Sequence, residues 1–146
     1  MGPQERKDPW NALAHSWDQR GDARQYAELA FDSLQPYIGG LERTSSRILD
    51  FGAGTGLLSE RLAPLVDEVV AIDTSRKMLE VLEVKRLNNV TTLCLSLDVQ
   101  EARTHPVLAP GFDVVVASSV CAFVPNLETT LLAIATVMKS DGTFVQ

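Results

Sequence analysis

The stretch Arg47-Ile-Leu-Asp-Phe-Gly-Ala-Gly-Thr-Gly56 constrains this chain more than any other. Ile48 and Leu49 open a short apolar β run, and Asp50 stands where that run ends. Gly52, Gly54 and Gly56 lack a Cβ, so the backbone can turn sharply and a ligand can lie against it. Leu58 and Leu62, four residues apart, place the following segment on a helix over Leu57–Ala63. Strand, glycine turn and helix together make a ligand cradle at the carboxyl edge of a parallel sheet, with free helix N–H groups aimed at the turn. The spacing G-x-G-x-G differs from the G-x-G-x-x-G of a dinucleotide turn, and no G-x-x-x-x-G-K-[ST] run is present. An acid at the mouth suits a ligand with a positive group better than a pyrophosphate.

A second apolar run, Glu68-Val-Val-Ala-Ile-Asp73, also ends in an acid. It lies 73 − 50 = 23 positions after Asp50, close to the ~20-residue offset of a ribose-binding carboxylate. Asp73, Thr74 and Ser75 equally suit the cap of the helix that follows, expected to run to about Leu87 and to stop at Asn88-Asn89. Thr91–Leu95 reads as a third strand and Phe112–Ser118 as a fourth, apolar nearly throughout as a strand buried on both faces should be. Residues 100–111 read as mostly loop with a possible short helix, and His105 as a solvated loop residue. Pro125-Asn126 starts a helix with Leu127, Leu131, Ile134, Ala135 and Met138 on one side. Lys139–Gly142 reads as a turn, and Thr143–Val145 as a fifth strand. Upstream, Trp10, Leu13, Ala14 and Trp17 fall at helical intervals. Asp22 is expected to cap a second helix that buries Tyr26, Leu29, Ala30 and Leu34. The start, residues 1–9, reads as frayed.

Strands alternating with helices predict an α/β fold, a doubly wound Rossmann-like parallel sheet. Segment 1–40 is expected as a helical lid and 41–146 as the ligand-binding domain. The chain has 146 residues and a net charge of −6, which suits one domain and argues against a nucleic-acid partner. No apolar run nears the ~20 residues of a membrane span, and residues 1–8 lack a secretory signal, so no membrane association and a cytoplasmic location are expected. Cys94 and Cys121 read as buried thiols of a reducing compartment, and no metal-ligand spacing is present.

Asp50-Phe-Gly-Ala-Gly-Thr-Gly56 resembles motif I of the class I S-adenosylmethionine-dependent methyltransferases. Asp73-Thr-Ser-Arg-Lys-Met-Leu79 is similar to their second motif, at the expected distance. The resemblance extends from about Trp10 to Val145. It implies strand order 3-2-1-4-5 and S-adenosylmethionine as cofactor. It places Asp50, Gly52, Ala53, Gly54 and Gly56 around the methionine end, Asp73 with Thr74 at the ribose, and Met78 beside the adenine. Asp98 would take the adenine amino group and the Val99 N–H a ring nitrogen, with Ser118 on the rim near the reactive methyl. No general base stands out, and many members work by proximity without one. The absence of an Asn/Asp-Pro-Pro-Tyr-type motif after strand four disfavours exocyclic amines of bases and points to a small metabolite or quinone-like acceptor. The sequence reaches Gln146 inside strand five, where members continue with a helix and an antiparallel strand pair. A fragment is therefore expected, with self-association through the strand-five edge. A cofactor-binding module without a complete acceptor site is one alternative, and a nicotinamide-dependent oxidoreductase, which Asp73 would also suit, is another.

Overall fold

A computed structural model describes residues 8–146. Of the frayed start expected over residues 1–9, the first seven positions lie outside the described residues. Five parallel strands form one sheet in the order β3-β2-β1-β4-β5. They are β1 (Arg47–Phe51), β2 (Glu68–Asp73), β3 (Val90–Cys94), β4 (Phe112–Val116) and β5 (Met138–Val145). The expected order is observed. Between and before them lie α1 (Gly21–Ile38), α2 (Ser59–Leu62), α3 (Arg76–Val84), α4 (Val99–Thr104) and α5 (Leu127–Val137).

Period-2 alternation splits the core between the two sheet faces. Ile48, Val69, Val114 and Val116 face Leu34 and Ile38 of α1 and Leu58 and Leu62 at α2. Leu49, Val70, Ile72 and Val115 face Ala102 of α4 and Ala133, Ile134 and Val137 of α5. Ala71 meets Leu79 and Leu82 of α3. Ile48, Leu49, Val69 and Val70 are fully buried, each worth roughly 1.5–3 kcal/mol of apolar burial. With β1 paired in register to both β2 and β4, its carboxyl end at Asp50 and Phe51 sits in the middle of the sheet's upper edge.

Several local expectations are corrected. The segment around the two tryptophans forms two short 3-10 helices, Pro9–Ala12 and Ala14–Gln19, rather than one α-helix. Asp22 lies in the first turn of α1 rather than at its cap, where it pairs with Arg20. The buried stripe of α1 is Ala27, Leu34 and Ile38, while Tyr26 and Leu29 are exposed. On α5 it is Thr130, Ala133, Ile134 and Val137, so Ile134 is as expected but Leu127 and Leu131 are exposed. Leu34 of α1 is buried and Ala30 packs against the same cluster, as expected, so in both helices the stripe was placed only in part, because apolar residues surround the helix and periodicity alone cannot choose among them. Helix α3 ends at Val84, before Leu87, and Arg86 turns the chain out with φ +53°. The short helix allowed in the loop after β3 is present at residues 99–104, capped by the Asp98 side chain. The expected turn at Lys139–Gly142 is a bulge inside β5: Phe112 pairs with Met138 but Val114 with Thr143. A Cβ on Gly142 would come within 2.9 Å of the Phe112 carbonyl oxygen, so the bulge needs glycine. Cys121 is buried as expected, whereas Cys94 is exposed.

Candidate active site

At the carboxyl ends of β1, β2 and β4 the glycine turn folds back onto β2. The N–H groups of Gly52 and Ala53 both donate to the Ile72 carbonyl, at 2.8 and 2.9 Å. Gly54 N–H donates to Asp73 Oδ2 at 2.8 Å, and Ser75 N–H donates to Asp73 Oδ1, also at 2.8 Å. One carboxylate thus fixes both the glycine turn and the start of α3. The helix cap is Ser75, whose Oγ accepts from Met78 N–H, so Asp73 is spared that role and its remaining lone pairs are left for a ligand.

The three glycines are needed for different reasons. All have positive φ: +74° at Gly52, +59° at Gly54 and +79° at Gly56. A Cβ on Gly52 would collide with Val120, and one on Gly56 with Leu82 of α3. A Cβ on Gly54 would meet no described atom within 4 Å. Gly54 therefore presents its bare face to open space, as a ligand cradle requires.

That space is a cavity of about 660 Å³. Asp50, Gly52, Ala53, Gly54, Asp73, Thr74, Met78 and Ser118 all line it. Gly56, Asp98 and Val99 do not: Gly56 is buried against α3, and the lining on that side stops at Leu97. Asp98 is exposed, and its Oδ1 accepts the Glu101 N–H at 2.7 Å as the cap of α4. Ser119 on the rim holds φ +59°, a left-handed conformation uncommon for a residue with a Cβ and one that collects at functional sites.

Asp50 is buried, and Ser59 Oγ donates to its Oδ2 at 2.7 Å. Burial raises its pKa to about 6, opposed by the Ser59 hydrogen bond and assisted by the nearby Asp73 charge. Burial likewise raises the Asp73 pKa, against the stabilising N–H groups of Ser75 and Gly54. For Asp50 the folded state holds its proton more tightly than the unfolded chain does. Its contribution to stability is complete below pH 4 and lost as pH rises through about 6. Urea unfolding of the ligand-free protein is expected to show a loss of roughly 1–2 kcal/mol between pH 5 and 7.5 that Asp50→Asn lacks. Parallel pH profiles for the two proteins would place the proton elsewhere.

The segment before β1 closes the cavity from above. Trp10, Trp17, Ala23, Tyr26 and Ala27 line it. Trp10 meets Trp17 and Phe123 edge to face, with ring centroids 5.9 and 5.2 Å away. Polar contacts hold the segment to the loops beneath. Thr74 Oγ1 donates to Asp8 and Ser75 Oγ to Asn11 Oδ1, each at 2.7 Å. Asp18 accepts from Thr55 Oγ1 and pairs with Lys85 at 2.8 Å. Sequence reading missed Asn11, Thr55 and Ser59. Their one signal is polarity at positions that the fold buries or half-buries, which shows only once the segments are brought together.

Residues 49–146 match the methyltransferase domain family. The ubiquinone biosynthesis O-methyltransferase of Azoarcus sp. (strain BH72) is 34% identical over 133 residues, which is 89% of this chain and 56% of that protein. The chain thus spans about half the length of the curated relatives it matches. Among solved structures, the DhpI–SAH complex superimposes with a TM-score of 0.68 at 21% identity, covering 92% of this chain and 64% of that one. The (4+2)-cyclase SpnF superimposes with a TM-score of 0.60 at 20% identity, covering 80% and 41%. At those identities the structures speak for the fold alone, whereas the family match rests on the sequence of residues 49–146. The chain belongs to the methyltransferase domain family, as a class I S-adenosylmethionine-dependent member.

Proposed function

We propose that this chain binds S-adenosylmethionine and takes part in methyl transfer to a small-molecule acceptor. The observation that carries the reading is the juxtaposition of the uncovered backbone at Gly54 with the carboxylate of Asp73, across a cavity large enough for a nucleoside-sized ligand. The residues fit the cofactor's chemistry. Asp73 offers acceptor lone pairs to a diol, Met78 a buried apolar surface, and Asp50 a negative charge to a cationic group. Asp98 and Val99, beside the end of the lining, are proposed for the base. When bound, S-adenosylmethionine supplies a methyl group made electrophilic by its sulfonium.

The chain's own part is to position and exclude water. The Asp73 hydrogen bonds fix the glycine turn before any ligand arrives, so little ordering remains on binding. The edge-to-face rings of Trp10, Trp17 and Phe123 stand between the cavity and solvent. Holding two reactants together in such a site is itself a large part of catalysis. The name of the Azoarcus relative supports a hydroxyl acceptor on a small molecule. Among the described residues no helix is long and apolar enough to cross a membrane.

Asp73→Ala tests the reading. It removes charge-assisted hydrogen bonds to the ligand, and S-adenosylhomocysteine affinity is expected to fall by roughly 1–3 kcal/mol. Calorimetric affinity equal to wild type, in a variant that still unfolds cooperatively, would take Asp73 out of the site.

A further inference from the structure

The half of the cavity next to the 3-10 helices differs in character from the glycine-turn half. Four rings line it, Trp10, Trp17, Tyr26 and Phe123, beside small and aliphatic residues such as Ala23, Ala27 and Val124. Phe123 is 61% exposed and Tyr26 50% exposed, so both stand at the mouth. Among the described residues, the charges lining the cavity are of one sign. Asp8, Asp22, Asp50 and Asp73 contribute carboxyl groups, and no described lining residue is Lys, Arg or His. Two described cations near the cavity are already engaged. Arg20 holds Asp22 through two hydrogen bonds of 3.1 and 2.7 Å and stacks over Trp17, 4.9 Å from the ring centroid. Lys85 pairs with Asp18 and Glu60 at 2.8 and 2.6 Å.

We infer that the methyl acceptor is a planar ring without negative charge, neutral or cationic, seated among Trp10, Tyr26 and Phe123, and that the site rejects carboxylate- and phosphate-bearing analogues. This rests on the reading of the cofactor site above. Aromatic walls favour a flat ring through stacking and edge contacts. They also favour a cation over their faces. An anion brought into the same space would lose water, find no cation among the described lining residues and face the aspartates, and a cleft with low-dielectric walls strengthens that repulsion. The selection is by charge rather than size, so it holds among acceptors of equal shape.

Trp10 and Trp17 are the chain's two tryptophans, so their fluorescence reports this half of the cavity directly. The experiment first titrates the protein with S-adenosylhomocysteine. It then titrates the saturated complex with three phenols of similar shape: 4-ethylphenol, tyramine and 4-hydroxyphenylacetate. The first two are expected to bind, and the third at least tenfold more weakly. Phe123→Ala is expected to raise the dissociation constants of the first two at least fivefold while S-adenosylhomocysteine stays within twofold. Equal binding of 4-hydroxyphenylacetate and 4-ethylphenol would overturn the charge selection. Binding of S-adenosylhomocysteine with none of the phenols would overturn the aromatic acceptor subsite. Failure of S-adenosylhomocysteine itself would contradict the cofactor reading beneath both, which separates the two kinds of failure.

Discussion

Gly56→Ala is expected to cost the fold roughly 2–5 kcal/mol, while Gly54→Ala costs about 1–2 kcal/mol and acts mainly on ligand binding. Both residues have positive φ, which any L side chain adopts at a penalty of about 1–2 kcal/mol. The difference lies in what the added methyl meets. At Gly56 it runs into Leu82, a core residue 2% exposed with no room to retreat, and overpacking of that kind adds about 1–3 kcal/mol. At Gly54 it enters the cavity. The larger Gly54→Val should therefore abolish measurable S-adenosylhomocysteine binding in a chain that still folds. Urea unfolding and calorimetry on the same samples check both halves. A Gly54 variant that binds normally would mean that the ligand does not approach this turn.

Arg47→Ala is expected to destabilise the protein by about 1.5–3 kcal/mol, the range for losing hydrogen bonds to a charged group, here in a partly buried pair with Glu68. Arg47 begins β1 at the edge of the sheet opposite the cavity. Its Nε donates to Glu68 at 2.8 Å, Nη1 to the Gly111 carbonyl at 2.7 Å and Nη2 to the Val107 carbonyl at 2.6 Å. The guanidinium also stacks over Phe112, 4.5 Å from the ring centroid. One side chain thereby ties β1 to β2 and to the loop that feeds β4. Its backbone N–H donates to Asp113, which in turn pairs with Lys139 of β5 at 3.0 Å. Lys at position 47 would keep the charge but not the planar fork, and Arg47→Lys should recover less than half of the loss. A change under 1 kcal/mol for Arg47→Ala, read from urea unfolding, would show that the fork merely decorates the sheet edge.

The strands, the glycine turn and the two acids were legible because each rests on a local pattern, whereas the strand order came from the family resemblance. An apolar run ending in Asp, and glycines at fixed spacing, need no knowledge of what lies across the fold. The helix faces were less legible. Tyr26 and Leu29 of α1, and Leu127 and Leu131 of α5, satisfy the same periodicity as the residues that are buried, and only the placement of the sheet decides between them. Gly56 shows a similar limit within the motif itself. Its spacing matches Gly52 and Gly54, yet its missing Cβ makes room for Leu82 rather than for a ligand. The contacts made by Asn11 and Asp18 were not legible for another reason. Their partners Ser75 and Thr55 lie 64 and 37 positions away, and short polar side chains carry no pattern that links such distances.

The most direct test of the cofactor site is a calorimetric titration of this chain with S-adenosylhomocysteine, with NAD as the control ligand. The arrangement of Gly54, Asp73 and the cavity beneath Trp10 leads us to expect micromolar binding of S-adenosylhomocysteine, weakened in Asp73→Ala, and none of NAD. Binding of NAD in preference to S-adenosylhomocysteine, or no binding of S-adenosylhomocysteine by the folded chain, would contradict it.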